Sequence, residues 1–225
     1  MEPLLAAGED IDWFVVVTGL FGGLAVFLFG MDRMTEALRV AAGARIRFAL
    51  ARLTKNRFLG ALSGAGITAV IQSSSVTTVL VVGFISSNVM NLSQGIGVIL
   101  GANVGTTITA QMVAFSISRY ALLIVALGYG MAFFGTTERR TVQGNLIMGL
   151  GLIFFGMSVM GAAMDPLRSY EPFIDLMAAL QNPLLAVLVG LVFTALVQSS
   201  SATTGIIIVL ASEGLITTEA GIALV

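Results

Sequence analysis

The chain has 225 residues, of which 57% are hydrophobic and only 10% are charged, and its mean hydropathy is +0.99. A soluble domain of this length could not solvate such a surface, so the composition places the chain in a lipid bilayer. The sequence has no cysteine and no histidine, which excludes disulfides, thiolate metal sites and imidazole bases. The net charge of −1 indicates little about partners, whereas the distribution of charges along the chain is informative.

The first predicted element is a spanning helix. Residues 1–12 are acidic and lack the basic region of a cleaved signal peptide, so this helix is expected to target itself to the membrane. Residues 13–31 carry no charge and can cross about 30 Å of hydrocarbon at about 1.5 Å per residue. Residues 32–57 mix basic and apolar side chains, which predicts an amphipathic helix lying on the membrane surface rather than a nucleic-acid patch.

The next stretch, residues 58–118, carries no charge and is divided by a polar step. Residues 58–71 and 76–90 would each form a helix of about 22 Å, too short for a full crossing. Between them stands Gln72-Ser73-Ser74-Ser75. Two short helices meeting at a polar tip predict a re-entrant hairpin, because irregular backbone survives at membrane depth only where protein buries it or water reaches it.

Further crossings are predicted over residues 94–115, 120–137 and 141–164, with a charged loop at 138–140 and an acidic loop at 165–182. The first of these crossings contains the segment Gly-Ala-Asn-Val-Gly-Thr-Thr, residues 101–107. Its glycines and polar residues fit a broken or unwound ion site and fit a small-residue packing face equally well. Asn103, between two of the glycines, is harder to explain by packing.

The chain is internally duplicated. Residues 56–99 align without a gap with residues 182–225 at an offset of 126, from Gln72 to Gln198, and 15 of the 44 aligned positions are identical. Such identity indicates a repeat and predicts a second hairpin over residues 183–212. We therefore divide one membrane transport domain, residues 1–225, into repeat 1 (13–140) and repeat 2 (141–225). Repeat 2 is expected to be incomplete, because it stops before the counterpart of residues 101–107.

Charge and parity predict the orientation. Three full crossings per repeat, an odd number, would invert the second copy relative to the first. An outside N-terminus leaves 9 of the 11 basic residues inside. The two hairpins would then enter from opposite faces and meet near the midplane. The predicted fold class is an all-α integral membrane protein with inverted repeats, each holding a spanning helix, a re-entrant helical hairpin and a broken transmembrane helix, multi-pass in the cell (inner) membrane.

The two polar tips suit ions. A helix that begins at the polar step points its unpaired N–H groups and positive dipole end at the tip, and serine hydroxyls add donors for a small oxyanion. Hydroxyl, amide and carbonyl oxygens can also hold Na⁺. The apolar runs hold no Lys or Arg, so a cation bound with the anion would supply the counter-charge. They hold no Asp or Glu except Glu213, at the end of hairpin two, which favours Na⁺ coupling over H⁺ coupling.

The doubled Gln-Ser-Ser-Ser motif, with Gly-Ala-Asn-Val-Gly-Thr-Thr after its first copy, resembles the type II sodium/phosphate cotransporter family and its bacterial members. The resemblance covers nearly the whole chain and implies sodium-coupled symport of inorganic phosphate by alternating access. The phosphate-binding residues predicted on this basis are Gln72, Ser73, Ser74, Ser75, Gln198, Ser199, Ser200 and Ser201. The predicted sodium ligands are Gln72, Asn103, Thr77, Thr78, Ser199, Thr203 and Thr204.

Other interpretations remain open. A channel for a small ion could use the same tips, the chain could be a non-transporting scaffold subunit, or the same fold could carry a carboxylate or sulfate. A single serine-rich step is usually helix packing, but two copies at a constant offset argue against that. No enzyme and no covalent cofactor are predicted, because the polar residues of the apolar runs offer no nucleophile–base pair. The expected partners are inorganic phosphate, sodium ions and the lipid bilayer, not nucleic acid, with a homo-oligomer left open.

Overall fold

The computed structural model describes residues 11–42, 56–114 and 118–225. Over these residues the chain is helical throughout, as predicted. The α-helices are α1 (Trp13–Ala42), α2 (Arg57–Ile71), α3 (Ser74–Ser86), α4 (Leu92–Ala114), α5 (Ala121–Phe133), α6 (Glu138–Met164), α7 (Glu171–Ala179), α8 (Pro183–Val197), α9 (Ser200–Ser212) and α10 (Thr218–Leu224). Two short 3₁₀ helices, Ser118–Tyr120 and Asp165–Ser169, precede α5 and follow α6.

Helices α1 and α6 form an antiparallel pair whose backbones touch at glycines. A Cβ atom added to Gly30 would lie 2.8 Å from the carbonyl oxygen of Gly149, and one added to Gly156 would lie 2.6 Å from that of Gly23. Small residues permit this approach, and the close backbone contact stabilises helix pairs where no hydrophobic driving force acts between them. Helix α9 covers the pair, since Ala202 belongs to the same buried cluster. This core positions hairpin two.

Helix α1 runs further than the sequence predicts. The expected end at residue 31 is wrong, because α1 continues without a break to Ala42. Met34 and Ala37 are only 1% and 4% exposed, so an apolar stripe at helical spacing persists beneath the charged side chains. The surface helix predicted for residues 32–57 is therefore replaced by α1 as far as residue 42, and its residues 43–55 lie outside the described part of the chain.

Helix α4 is continuous through residues 101–107, so the predicted unwound segment is wrong. Its glycines serve close packing against α2 instead. A Cβ at Gly101 would overlap the carbonyl oxygen of Ala61, and a Cβ at Gly105 would lie 2.9 Å from the amide nitrogen of Ala69. The small-residue face, the other interpretation of this pattern, is the one that the structure shows.

The predicted acidic loop at residues 165–182 is largely helical, because it forms the 3₁₀ helix Asp165–Ser169 and then α7. Proline in the first turn of α7, after an acidic residue, favours a helix start there. Helix α5 is shorter than the predicted crossing at 120–137: its 13 residues span about 20 Å.

Two helical stretches of the described chain are long and apolar enough to cross a bilayer, Trp13–Ala41 and Glu138–Ser169. A third would be Glu171–Ala179 with Pro183–Val197, a pair bent by 101°. Large apolar side chains also cover the outer surface, including Leu184 and Leu196. These are the features of a membrane protein.

Candidate functional site at the two hairpin tips

Each Gln-Ser-Ser-Ser motif lies at a break between two short helices, as predicted. Helix α2 ends one residue before Gln72 and α3 begins two residues after it, and α8 and α9 flank Gln198 in the same way. The first arm has 15 residues in both hairpins and the second has 13. The two tips are thus built to one plan.

The glutamine of each motif makes the turn. Gln72 and Gln198 have left-handed backbone conformations, with φ of 57° and 58°, which is uncommon for residues other than glycine. Each side-chain amide nitrogen donates to the carbonyl of the residue three earlier, Ala69 or Ala195. This bond satisfies one of the carbonyls that a helix end leaves unpaired. The glutamines therefore shape the tips, and their amide nitrogens are already engaged.

The first serine of each motif caps the second arm. Ser73 and Ser199 are extended, with φ of −148° and −144°, and each hydroxyl oxygen accepts the backbone N–H three residues on, at 3.3 Å. The next two residues of each arm have backbone N–H groups with no protein acceptor in the described part of the chain. These residues are Ser74, Ser75, Ser200 and Ser201.

A pair of threonines closes each hairpin on itself. Thr68 and Thr77 share a hydrogen bond of 2.8 Å between their hydroxyls, and Thr194 donates to Thr203 over 3.0 Å. In a straight helix, residues nine apart would be separated by about 13 Å, so the bond shows that the arms fold back. Thr77 also donates to the carbonyl of Ser73, at 3.2 Å. Because a hydroxyl has one hydrogen, Thr68 is the donor to Thr77.

The two tips meet around one small cavity of about 80 Å³, several times the roughly 10–15 Å³ that a single water needs. All eight residues predicted to bind phosphate line it, together with Thr106 of α4. The nine lining residues are polar and none is charged. The cavity can therefore offer hydroxyl and N–H donors to an anion without opposing it with a carboxylate.

The predicted sodium ligands are not brought together. Gln72 and Ser199 line the cavity, whereas the other five do not. Thr77 and Thr203 are buried inside their own hairpins, and Asn103 is exposed on α4. The remaining two, Thr78 and Thr204, are half-buried beside them.

Thr106 is a lining residue that sequence reasoning missed. It belongs to the same Gly-Ala-Asn-Val-Gly-Thr-Thr segment as Asn103, three residues further on. Gly105 brings this part of α4 to the first tip, since a Cβ there would lie 2.9 Å from the Cβ of Thr68. The segment therefore reaches the cavity, and only the packing shows that Thr106 rather than Asn103 lines it.

Comparison with known proteins shows the family. The sequence model described as Na⁺/Pi-cotransporter matches residues 26–162 and 173–225. The chain is 29% identical over 213 residues to YjbB of Escherichia coli O157:H7, whose name provisionally assigns it to inorganic phosphate export; the match covers 94% of this chain and 39% of YjbB. It is 32% identical over 192 residues to YqeW of Bacillus subtilis, an uncharacterized protein, covering 84% of this chain and 62% of YqeW.

A shorter match joins the chain to the human sodium-dependent phosphate transport protein 2B, 35% identical over 97 residues, or 42% of this chain and 14% of that protein. The chain thus spans less than two thirds of each of these relatives. No solved structure gives a significant match. Since the family model covers most of the described residues and both hairpin tips, the chain belongs to the Na⁺/Pi-cotransporter family, whose members are transporters rather than enzymes.

Proposed function

We propose that the chain forms a sodium-coupled symporter of inorganic phosphate, which works by alternating access and holds phosphate between the two hairpin tips. One observation carries the proposal: two motifs 126 residues apart in sequence line a single polar, uncharged cavity. The human relative named for sodium-dependent phosphate transport supports both the substrate and the coupling ion. Alternating access is reversible, so the net direction would follow the combined gradients of both ions.

Phosphate would be held by the starts of α3 and α9. Both helices begin at the cavity, so their positive dipole ends and unpaired N–H groups face the same small volume. Ser74 and Ser200 line the wall at these N–H groups, and their hydroxyls would supply further donors. The glutamine amide nitrogens already donate within their own hairpins, so we assign them the role of holding the serines in place.

Sodium would supply the positive charge that the wall lacks. No lining residue is charged, so an anion alone would enter the cavity uncompensated. Hydroxyl and carbonyl oxygens are suitable sodium ligands, and Gln72 and Ser199 are the two predicted ligands that line the wall. We therefore propose the sodium site at the wall, next to phosphate, rather than along α4 at Asn103.

The membrane arrangement is part of the proposal. Residues 13–140 and 141–225 would form two repeats of opposite orientation in the cell (inner) membrane, multi-pass and with the N-terminus outside. Support comes from the charge distribution and from the matching construction of two hairpins whose tips meet. Hairpins that enter from opposite faces could open the shared cavity to each side in turn. A homo-oligomer is compatible with this arrangement.

The test is uptake of radiolabelled phosphate by proteoliposomes that contain the purified protein, with an inward gradient of Na⁺ or of K⁺. We expect uptake with Na⁺ only. Ser74→Ala and Ser200→Ala should each raise the KM for phosphate about tenfold, the effect of losing one hydrogen bond to a charged group. Ser87→Ala is the matched control, because this hydroxyl lies at the far end of α3 and bonds the carbonyl of Gly83.

Three results would contradict the proposal. Equal phosphate flux with Na⁺ and K⁺ would indicate a channel at the same tips. No flux under any gradient would favour a scaffold subunit. An unchanged KM in both serine variants would remove the tips from the site.

A further inference from the structure

One cationic side chain reaches the backbone of the first tip. Arg39, near the end of α1, donates from Nε to the carbonyl oxygen of Ile71 over 3.3 Å. Ile71 is the last residue of α2 and directly precedes Gln72, which lines the cavity. The contact exists only because α1 continues past its apolar run, so its basis lies in the packing of Met34 and Ala37 described above.

The carbonyl of Ile71 needs a hydrogen-bond donor from outside its own helix. The last carbonyls of an α-helix have no intrahelical donor, and the left-handed turn at Gln72 stops α2 from continuing. The Gln72 side chain donates a hydrogen bond to the carbonyl of Ala69, and Arg39 donates one to the carbonyl of Ile71. A cation at a helix C-terminus is also electrostatically favourable. The two bonds together fix the end of α2, and thus the direction in which Ser73 leaves it.

Among residues 11–42, 56–114 and 118–225, no arginine makes the corresponding contact at the second tip. The residue 126 positions after Arg39 is Asp165, which lies in the 3₁₀ helix after α6 and pairs with Nε of Arg168 at 3.1 Å. Arg168 also pairs with Glu213, at the base of hairpin two and away from the cavity. The two hairpins therefore share one internal design but differ in what holds them from outside.

Among the described residues, Arg39 forms no ion pair. Within the described ranges no carboxylate lies within salt-bridge distance of its guanidinium, although Asp32 and Glu36 stand on the same helix. The side chain is exposed, so water can reach it. The guanidinium keeps donors beyond Nε and is bonded to the residue that directly precedes the first motif, so it places positive charge near that end of α2.

We infer that Arg39 is a positioning residue for the proposed phosphate site. It holds the carbonyl end of α2, so that the first tip presents its serines to the cavity, and it adds positive charge at the end of that helix. The inference rests on the proposed function, and it makes the two tips unequal: the first depends on a side chain of α1, and the second does not.

The experiment compares Arg39→Gln and Arg39→Lys with Arg33→Gln in the proteoliposome assay. Arg33 lies on the same helix, with its guanidinium over the ring of Phe29, and is the matched control. Backbone hydrogen exchange is measured in parallel for peptides covering residues 68–77 and 194–203.

We expect Arg39→Gln to raise the KM for phosphate roughly tenfold, which is the effect of losing one hydrogen bond from a charged donor, and to leave the maximal rate unchanged. Arg33→Gln should have the KM and maximal rate of the wild type. Arg39→Lys keeps the charge without the planar guanidinium, so its KM should lie between those of Arg39→Gln and the wild type. Exchange should quicken at the first tip only. If Arg39→Gln does not reach the membrane, Arg39→Lys decides: a raised KM supports the inference.

An unchanged KM in the folded Arg39 variants would overturn the inference, and so would equal quickening of exchange at both tips. Wild-type protein that takes up no phosphate would instead overturn the proposed function. In that case the exchange comparison still decides whether Arg39 holds the first tip, since it requires no substrate.

Discussion

Replacing Thr68 and Thr77 by valine, singly and together, tests whether the buried threonine pair closes hairpin one. Both side chains are 0% exposed, and valine keeps their shape while removing the hydroxyl. Thr77→Val leaves the Thr68 hydroxyl buried without its partner, at a cost of about 1–3 kcal/mol in the free energy of unfolding. Thr68→Val should cost less, because the Thr77 hydroxyl still donates to the carbonyl of Ser73. The double variant has no orphaned partner across the hairpin, so its cost should fall below the sum of the single costs by about 1 kcal/mol or more.

The assay is thermal or denaturant unfolding of the four proteins in detergent, followed by the fluorescence of Trp13, the single tryptophan. Thr78→Val is the control, since Thr78 is next in sequence but half-buried. Additive costs for the two single variants would refute a shared bond. A cost at position 77 no larger than that at position 78 would refute the burial argument as well.

Two further comparisons use neighbouring residues as matched pairs. Gly64→Ala should destabilise the protein by about 1–3 kcal/mol, because the new Cβ would overlap the carbonyl oxygen of Val98. Gly66→Ala, whose Cβ would have nothing within 4 Å, should be neutral or stabilising by up to about 1 kcal/mol. Equal unfolding midpoints for the two variants would contradict the packing of α2 on α4. Thr106→Val should raise the KM for phosphate about threefold to tenfold, and Thr107→Val, off the cavity wall, should not; equal uptake curves would remove α4 from the site.

The hairpins were predictable because an uncharged run interrupted by Gln-Ser-Ser-Ser allows few other structures, and because the run occurs twice. Two residues show where sequence reasoning stopped. Arg39 was assigned to the membrane surface, since charge was used to mark the end of α1, but burial of Met34 and Ala37 carries that helix further. Gly101 fitted both an unwound segment and close packing, and only its contact with Ala61 of α2 decides between them.

The left-handed turns could not be read from the sequence either. Gln72 and Gln198 take a conformation in which glycine or asparagine is expected, and each is held there by its own amide bond to the preceding helix. That bond depends on side-chain geometry, which the spacing of residue types does not reveal. The eight motif residues and Thr106 line one cavity, and the place of Thr106 in it depends on how α4 packs.

The internal closure of each tip has a consequence for biogenesis. At a typical 5–20 residues per second, the second motif leaves the ribosome about 6–25 s after the first, because 126 residues separate them. For that interval the first tip has no second tip to face. Its threonine pair, serine cap and glutamine bond hold the turn from within, but the N–H groups of Ser74 and Ser75 still need acceptors, so a nascent first hairpin requires water or other protein at its tip until the second arrives.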